Sequence, residues 1–312
     1  MAQFSVSAAV GSGFDLIRTR PLTVLLWGVA QFALAAVILL AFFPLWLSMI
    51  GTFGRQAAAG GRPDPSALMS QMAGLQGVLL LVNFGALFAR SLLSCAVWRS
   101  VLHPEQSAYA YFRVSSAELF VFLLTVGVSY GAGFAIVLPL IPVMIVIVGL
   151  VATHAYAAAV IVGVVALLAL LAAVLYIALR FSLVGPMMVQ DGKFHLMESW
   201  ALTRGHVGGL FATGLLLVLM VIALEIVVAG VAVAVLAGVA GGLGASAGGH
   251  PEVLRNMFAH PAPDMVSRII PWVLGLGVIF APLAGAVYAV MLAPWARILR
   301  DLTESDATAA FV

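Results

Sequence analysis

Long apolar runs alternate with short polar stretches along this chain, and the lengths of the apolar runs set the first expectation. A helix that crosses about 30 Å of hydrocarbon needs roughly 20 consecutive apolar residues. Six segments reach that length, at about 22–48, 73–98, 118–149, 155–184, 208–239 and 269–293. The runs are continuously apolar rather than alternating, and each far exceeds the roughly ten residues of a barrel strand. The pattern therefore predicts helices. The third and fourth runs almost merge, with a turn expected at Ala152-Thr153-His154. Pro139 and Pro142 lie in the third run, where the missing backbone donors predict a kink or an early end.

Composition agrees. Hydrophobic residues make up 64% of 312 and charged residues 8%, against roughly 45–50% and about 25% in a soluble domain. Such a chain lacks the polar surface to cover itself in water, so the prediction is an all-α integral membrane protein. A net charge of +2 gives no ground for a nucleic-acid partner. The single Cys95 excludes an internal disulfide. The chain begins without a basic n-region, and the first run is too long for a signal-peptide core, so it is expected to stay in the membrane.

Basic residues set an orientation. Arg18, Arg20, Arg90, Arg99, Arg113, Arg180, Lys193, Arg204, Arg297 and Arg300 fall on one side of the six-span scheme; Arg55, Arg62, Arg255 and Arg268 fall on the other. Ten of fourteen on one side predicts a cytoplasmic-membrane protein with both termini in the cytoplasm.

A pentapeptide recurs on that side. Phe14-Asp15-Leu16-Ile17-Arg18, Tyr109-Ala110-Tyr111-Phe112-Arg113 and Trp200-Ala201-Leu202-Thr203-Arg204 each read aromatic, any, large apolar, any, arginine. Each stands shortly before an odd-numbered run. The flanking residues are weakly amphipathic, as in a helix lying in the interface with aromatics in the acyl boundary and arginine at the headgroups. One polytopic domain over 1–303 is expected. It divides into repeats of about 1–98, 99–184 and 185–300, each an interfacial helix followed by a transmembrane hairpin, with a short tail at 304–312. Gly185-Pro186 and Ala293-Pro294 are expected to close the fourth and sixth spans.

Gly185-Pro186, Asp191-Gly192, the run Glu198-Ser199-Trp200-Ala201-Leu202-Thr203-Arg204-Gly205 and the later Phe211 carry a resemblance. Together they resemble the glycerophosphodiester phosphodiesterase membrane domain and related multi-span bacterial proteins, over roughly 1–303. The resemblance implies membrane location and fold. It does not imply the phosphodiesterase reaction, which in such fusions belongs to a separate soluble barrel of about 250 residues. The longest polar stretch here, near 240–267, is far too short to be one.

Candidate chemistry is sparse. Gly244-Ala245-Ser246-Ala247-Gly248 matches G-x-S-x-G, with His250, His260 and Asp264 downstream. No strand precedes it, as a nucleophile elbow requires, so a Gly/Ala loop is expected and the two histidines predict no metal site. Glu225 is an ionisable group inside the fifth run, about 25 Å from the cytoplasmic end. Such a group costs about 2.5–3.5 kcal/mol to insert and normally faces a cavity or a partner. Arg90, about 12 Å from the same end, and Asn83 are the other intramembrane contact candidates, while Gln31 suits a helix–helix hydrogen bond. Arg90 and Arg180 are expected to snorkel to headgroups, and Trp27, Trp46, Trp98, Trp272 and Trp295 to anchor at interfaces.

These readings converge on a non-enzymatic membrane protein that interacts with lipid or organises the membrane. Its expected partners are membrane lipids and a protein on the cytoplasmic side, and it needs no cofactor. Two alternatives stand beside it. One is a transport permease subunit whose Glu198-Ser199-Trp200-Ala201 loop docks an ATPase, although its spacing to Gly205 is one residue too long. The other is an intramembrane serine hydrolase using Ser246.

Overall fold

Hydrocarbon offers no partner to a backbone N–H or C=O, so an apolar run must close its hydrogen bonds internally. The computed structural model describes residues 4–58, 65–246 and 265–309, and every regular element among them is helical. In chain order these are α1 (Val6–Thr19), α2 (Pro21–Ala58), α3 (Pro65–Leu102), a 3-10 turn (Ala108–Tyr111), α4 (Ser116–Ala152) and α5 (Tyr156–Arg180). There follow α6 (Val184–Asp191), α7 (Leu196–Leu202), α8 (Val207–Ser246) and α9 (Met265–Ala309). Six of them, α2, α3, α4, α5, α8 and α9, contain segments long and apolar enough to cross a membrane.

The turn between the third and fourth runs lies where expected, with His154 in the left-handed region at φ 59°. Pro139 and Pro142 do not end the third run: α4 continues through both to Ala152. Gly185-Pro186 does not close a span either. The fourth span's helix stops at Arg180, and Gly185 and Pro186 occupy the first turn of the short α6. Pro186 is tolerated there because first-turn N–H groups have no intrahelical acceptor. Asp191-Gly192 does turn the chain, with Gly192 capping α6 at φ 73°. Ala293-Pro294 is likewise interior, since α9 runs on to Ala309 and takes in much of the expected tail.

The chain divides into two compact units. One comprises Met1–Asp15, Leu87–Leu216 and Ala289–Val312. Its core gathers Ala9 of α1, Leu179 of α5, Leu183, Leu210 of α8, and Ile298 and Leu299 of α9. Trp98 knits this unit. Its Nε1 donates to the Leu292 carbonyl at 3.1 Å, and its ring lies against the Gly185 backbone, where a Cβ would collide. Within the same unit, the α4–α5 hairpin turns large apolar side chains outward, including Phe134, Ile145, Leu168 and Leu171.

The other unit comprises Leu16–Ala86 and Leu217–Tyr288. Here α2 and α9 cross in backbone contact: a Cβ on Gly28 would overlap the Ala281 carbonyl, and one on Gly285 the Val24 carbonyl. Lipid tails are as apolar as leucine, so such close packing of small residues is a main source of helix association in a membrane. A groove of about 630 Å³ runs between α2 and α3, lined by Ile38, Phe42, Leu79, Gln76 and Asn83 among others. Trp27 of this unit and Trp98 of the other are both buried in protein, not set out as interfacial anchors.

The recurring pentapeptide takes different local structures. Phe14–Arg18 lies within α1, and Trp200-Ala201-Leu202 ends α7. The middle copy is not a helix. Tyr109, Ala110 and Tyr111 stand at φ 52°, 55° and 67°, a left-handed run in the connection between α3 and α4. Tertiary contacts described below hold it there.

Candidate functional site

Two buried polar clusters stand out in the first unit. The first begins with sequence-local chemistry: Ser115 precedes α4 and Glu118 stands three residues later, the spacing of a capping box. The Glu118 carboxylate accepts the Ser115 N–H at 2.9 Å and also its hydroxyl. Its other oxygen takes Nη2 of Arg99, which reaches across from α3. Arg99 is 4% exposed and Glu118 1%. Arg99 Nη1 donates to the Tyr111 carbonyl at 2.8 Å, and the Tyr111 hydroxyl to the Pro104 carbonyl at 3.1 Å. Each left-handed non-glycine residue costs about 1–2 kcal/mol, and this ion pair clamps the end of that strained turn.

The second cluster is built by the 185–211 stretch. The carbonyl of Arg180 ends α5 and lacks an intrahelical donor. Ser199 Oγ donates to it at 3.1 Å. Thr203 Oγ1 has three carbonyls in reach, of Ser199 at 2.8 Å, Arg180 at 3.3 Å and Trp200 at 3.4 Å. Both hydroxyl residues are fully buried. Trp200 lies over the Arg180 guanidinium, 4.3 Å from its ring centroid, and meets Phe181 and Tyr176 with centroids 5.4 and 6.0 Å apart. Arg180 therefore does not snorkel to headgroups: it is buried against aromatic faces.

The Ser-Trp-x-x-Thr core of the motif is thus a helix-end clamp. Replacing Ser199 with alanine leaves the buried carbonyl only the shared Thr203 proton, an expected loss of about 1 kcal/mol. The double variant Ser199→Ala, Thr203→Val is expected to lose about 1–3 kcal/mol, measured as unfolding free energy in detergent.

Beside the clamp, His195 meets two carboxylates, Asp191 at 2.5 Å through Nε2 and Glu198 through Nδ1. The pairing ties the end of α6 to the start of α7. Gly205, at φ 86°, turns the chain after α7, and the neighbouring Arg204 is exposed.

The remaining sequence candidates are scattered. Phe14 and Arg18 are exposed on α1, Tyr109 is exposed on the 3-10 turn, and Arg113 donates to the Gln106 side chain at 2.9 Å. Pro186 is buried in α6. Arg90 is exposed on α3, Asn83 lines the groove of the second unit, and Glu225 is exposed on α8. Ser246 is the last residue of α8 rather than part of a loop. His250, His260 and Asp264 lie outside the described residues. Among the described residues no group of three metal-ligating side chains forms.

Sequence reasoning passed over the Arg99–Glu118 pair. Ser115-Ser116-Ala117-Glu118 carried its signal as a capping box, but nothing local indicated which cation would meet the acid. No family model matches the chain, and no curated protein or solved structure matches it either.

Proposed function

We propose that this chain is a non-enzymatic component of the cytoplasmic membrane that contacts lipid through its cytoplasmic face and helps to organise that surface. Both termini lie on that face, and the three pentapeptide segments are its interfacial elements. Their equivalence rests on position in the chain, since the middle one is a turn and the outer two are helical.

The observation that carries the reading is an exposed apolar set interleaved with exposed basic residues. Tyr109 is 88% exposed and Met197 76%, with Phe14 and Phe194 also outward. Arg18, Arg113, Lys193 and Arg204 stand exposed beside them in the chain. Aromatic and aliphatic groups that project next to arginine and lysine suit the acyl–headgroup boundary. The buried hydroxyls and the buried carboxylate already close helix ends or pair with a cation, which supports a non-enzymatic role.

Single cysteines at Phe14, Tyr109 and Trp200 test the reading, because the native Cys95 is fully buried and gives little background. In membranes, labelling by an aqueous maleimide is expected to be at least about tenfold slower than at an exposed loop site, and to recover in detergent. Full aqueous reactivity at all three positions rules the reading out.

A further inference from the structure

Arg180 and Arg99 are buried alike, at 3% and 4% exposure, yet they are provided for differently. Arg99 has the Glu118 carboxylate and the Tyr111 carbonyl. Among the described residues the Arg180 guanidinium meets two aromatic faces, Trp200 at 4.3 Å and Tyr176 at 5.9 Å. Its Nε makes no hydrogen bond, and the ion pairs among the described residues involve other cations. A guanidinium keeps its charge in a protein. Cation–π contact offsets only part of the cost of taking the ion out of water. An anionic partner would close this balance.

We propose that Arg180 is the anchor of a binding site for a phosphate group, presented by an anionic phospholipid of the cytoplasmic leaflet. The surroundings favour that ligand. The nearby carboxylates Asp191 and Glu198 are both engaged by His195, while Arg204, one residue beyond the Thr203 that reaches the Arg180 carbonyl, is exposed and unpaired by either of them. Tyr176, one of the two aromatic walls, is itself 47% exposed, so rotation of a surface side chain opens the way to the guanidinium. Planar, bidentate donors on a weakly hydrated cation match phosphate oxygens, which aromatic walls alone cannot replace.

The inference rests on the lipid-facing reading above but fails separately from it, because shielded cysteines together with indifference to phosphate would remove this proposal alone. The test titrates the full-length chain in neutral detergent with phosphatidylglycerol, phosphatidylcholine and inorganic phosphate, with bound ligand counted by native mass spectrometry. Phosphatidylglycerol is expected to bind wild type at least about tenfold more tightly than Arg180→Gln, the value of one charge-assisted hydrogen bond. Arg204→Gln should change binding less than about threefold. Arg180-dependent binding of inorganic phosphate as well would show that the headgroup phosphate is the recognised chemistry; binding of the lipid alone would show that its glycerol and chains are needed too. Equal binding by wild type and a folded Arg180→Gln overturns the proposal. Should that variant not fold, a photoactivatable phosphatidylglycerol on wild type decides: adducts within 176–204 support the site, and adducts confined elsewhere overturn it.

Discussion

Replacing Glu118 with alanine is expected to destabilise the protein by about 3–5 kcal/mol. The size follows from what is left behind. Arg99 stays almost fully buried with its charge and loses the carboxylate paired with it. The Ser115 N–H and hydroxyl lose their acceptor at the same time, so the start of α4 is uncapped. The turn at Tyr109–Tyr111, held by Arg99 at its last carbonyl, is expected to relax out of the left-handed region. Removing both charges, as Arg99→Met with Glu118→Leu, should recover part of the loss, because apolar replacement of a buried pair is often neutral. A residue of about 1–3 kcal/mol is expected to remain, for the Tyr111 carbonyl then stands buried without a donor. Detergent unfolding of the two single variants and the double gives the coupling energy. Hydrogen exchange over 103–116 reads the turn directly, with faster exchange expected in Glu118→Ala and partial protection restored in the double variant.

The second large effect is expected at the α2–α9 crossing. Gly285→Ala places a methyl against the Val24 carbonyl, and Gly28→Ala places one against the Ala281 carbonyl. The atom struck in each case is backbone, so no side-chain rotation relieves the clash and the helices must separate. Overpacking usually costs about 1–3 kcal/mol. The upper end is expected here, with further loss from the close contacts that separation removes on both sides. Gly85→Ala in α3 is the control, since a Cβ there meets nothing within 4 Å. It is expected to be neutral or slightly stabilising, in line with the better helix propensity of alanine. A fall in apparent Tm for the two crossing variants, with Gly85→Ala unchanged, is the expected pattern; equal effects at all three would place the cause in the backbone rather than in packing.

How much of this was legible in the chain follows from which interactions are local. The six apolar runs were readable because hydrocarbon imposes one rule on every residue of a span, and a helix is the local solution. The turns at His154 and Gly192 were readable for a similar reason, since a break between runs or an Asp-Gly pair acts within a few residues. The departures are all tertiary. Pro139, Pro142 and Pro294 sit inside continuous helices because neighbouring turns and packing absorb a lost donor in a membrane span. Arg180 looked like a snorkelling arginine by its place near a span end, and only the return of α7 shows that Trp200 covers it.

The middle pentapeptide matched its relatives residue for residue in type, yet Arg99 and Glu118 hold it as a turn. Trp27 and Trp98 lie near span ends as interfacial anchors do, but both are buried in protein. The 185–211 stretch is the clearest case. Its concentration of polar residues invites a catalytic reading, whereas Ser199 and Thr203 close α5, His195 joins α6 to α7, and Gly185 admits the Trp98 ring.

The polar residues of this stretch build the fold, and the surface around them is proposed to meet lipid. A density map of the full-length chain in phosphatidylglycerol nanodiscs tests it most directly. The account predicts the Ser199 hydroxyl on the Arg180 carbonyl, and ordered lipid against Phe14, Tyr109 and Met197. A water-filled cavity leading to Ser199 and Thr203, with those three side chains in bulk solvent, would contradict it.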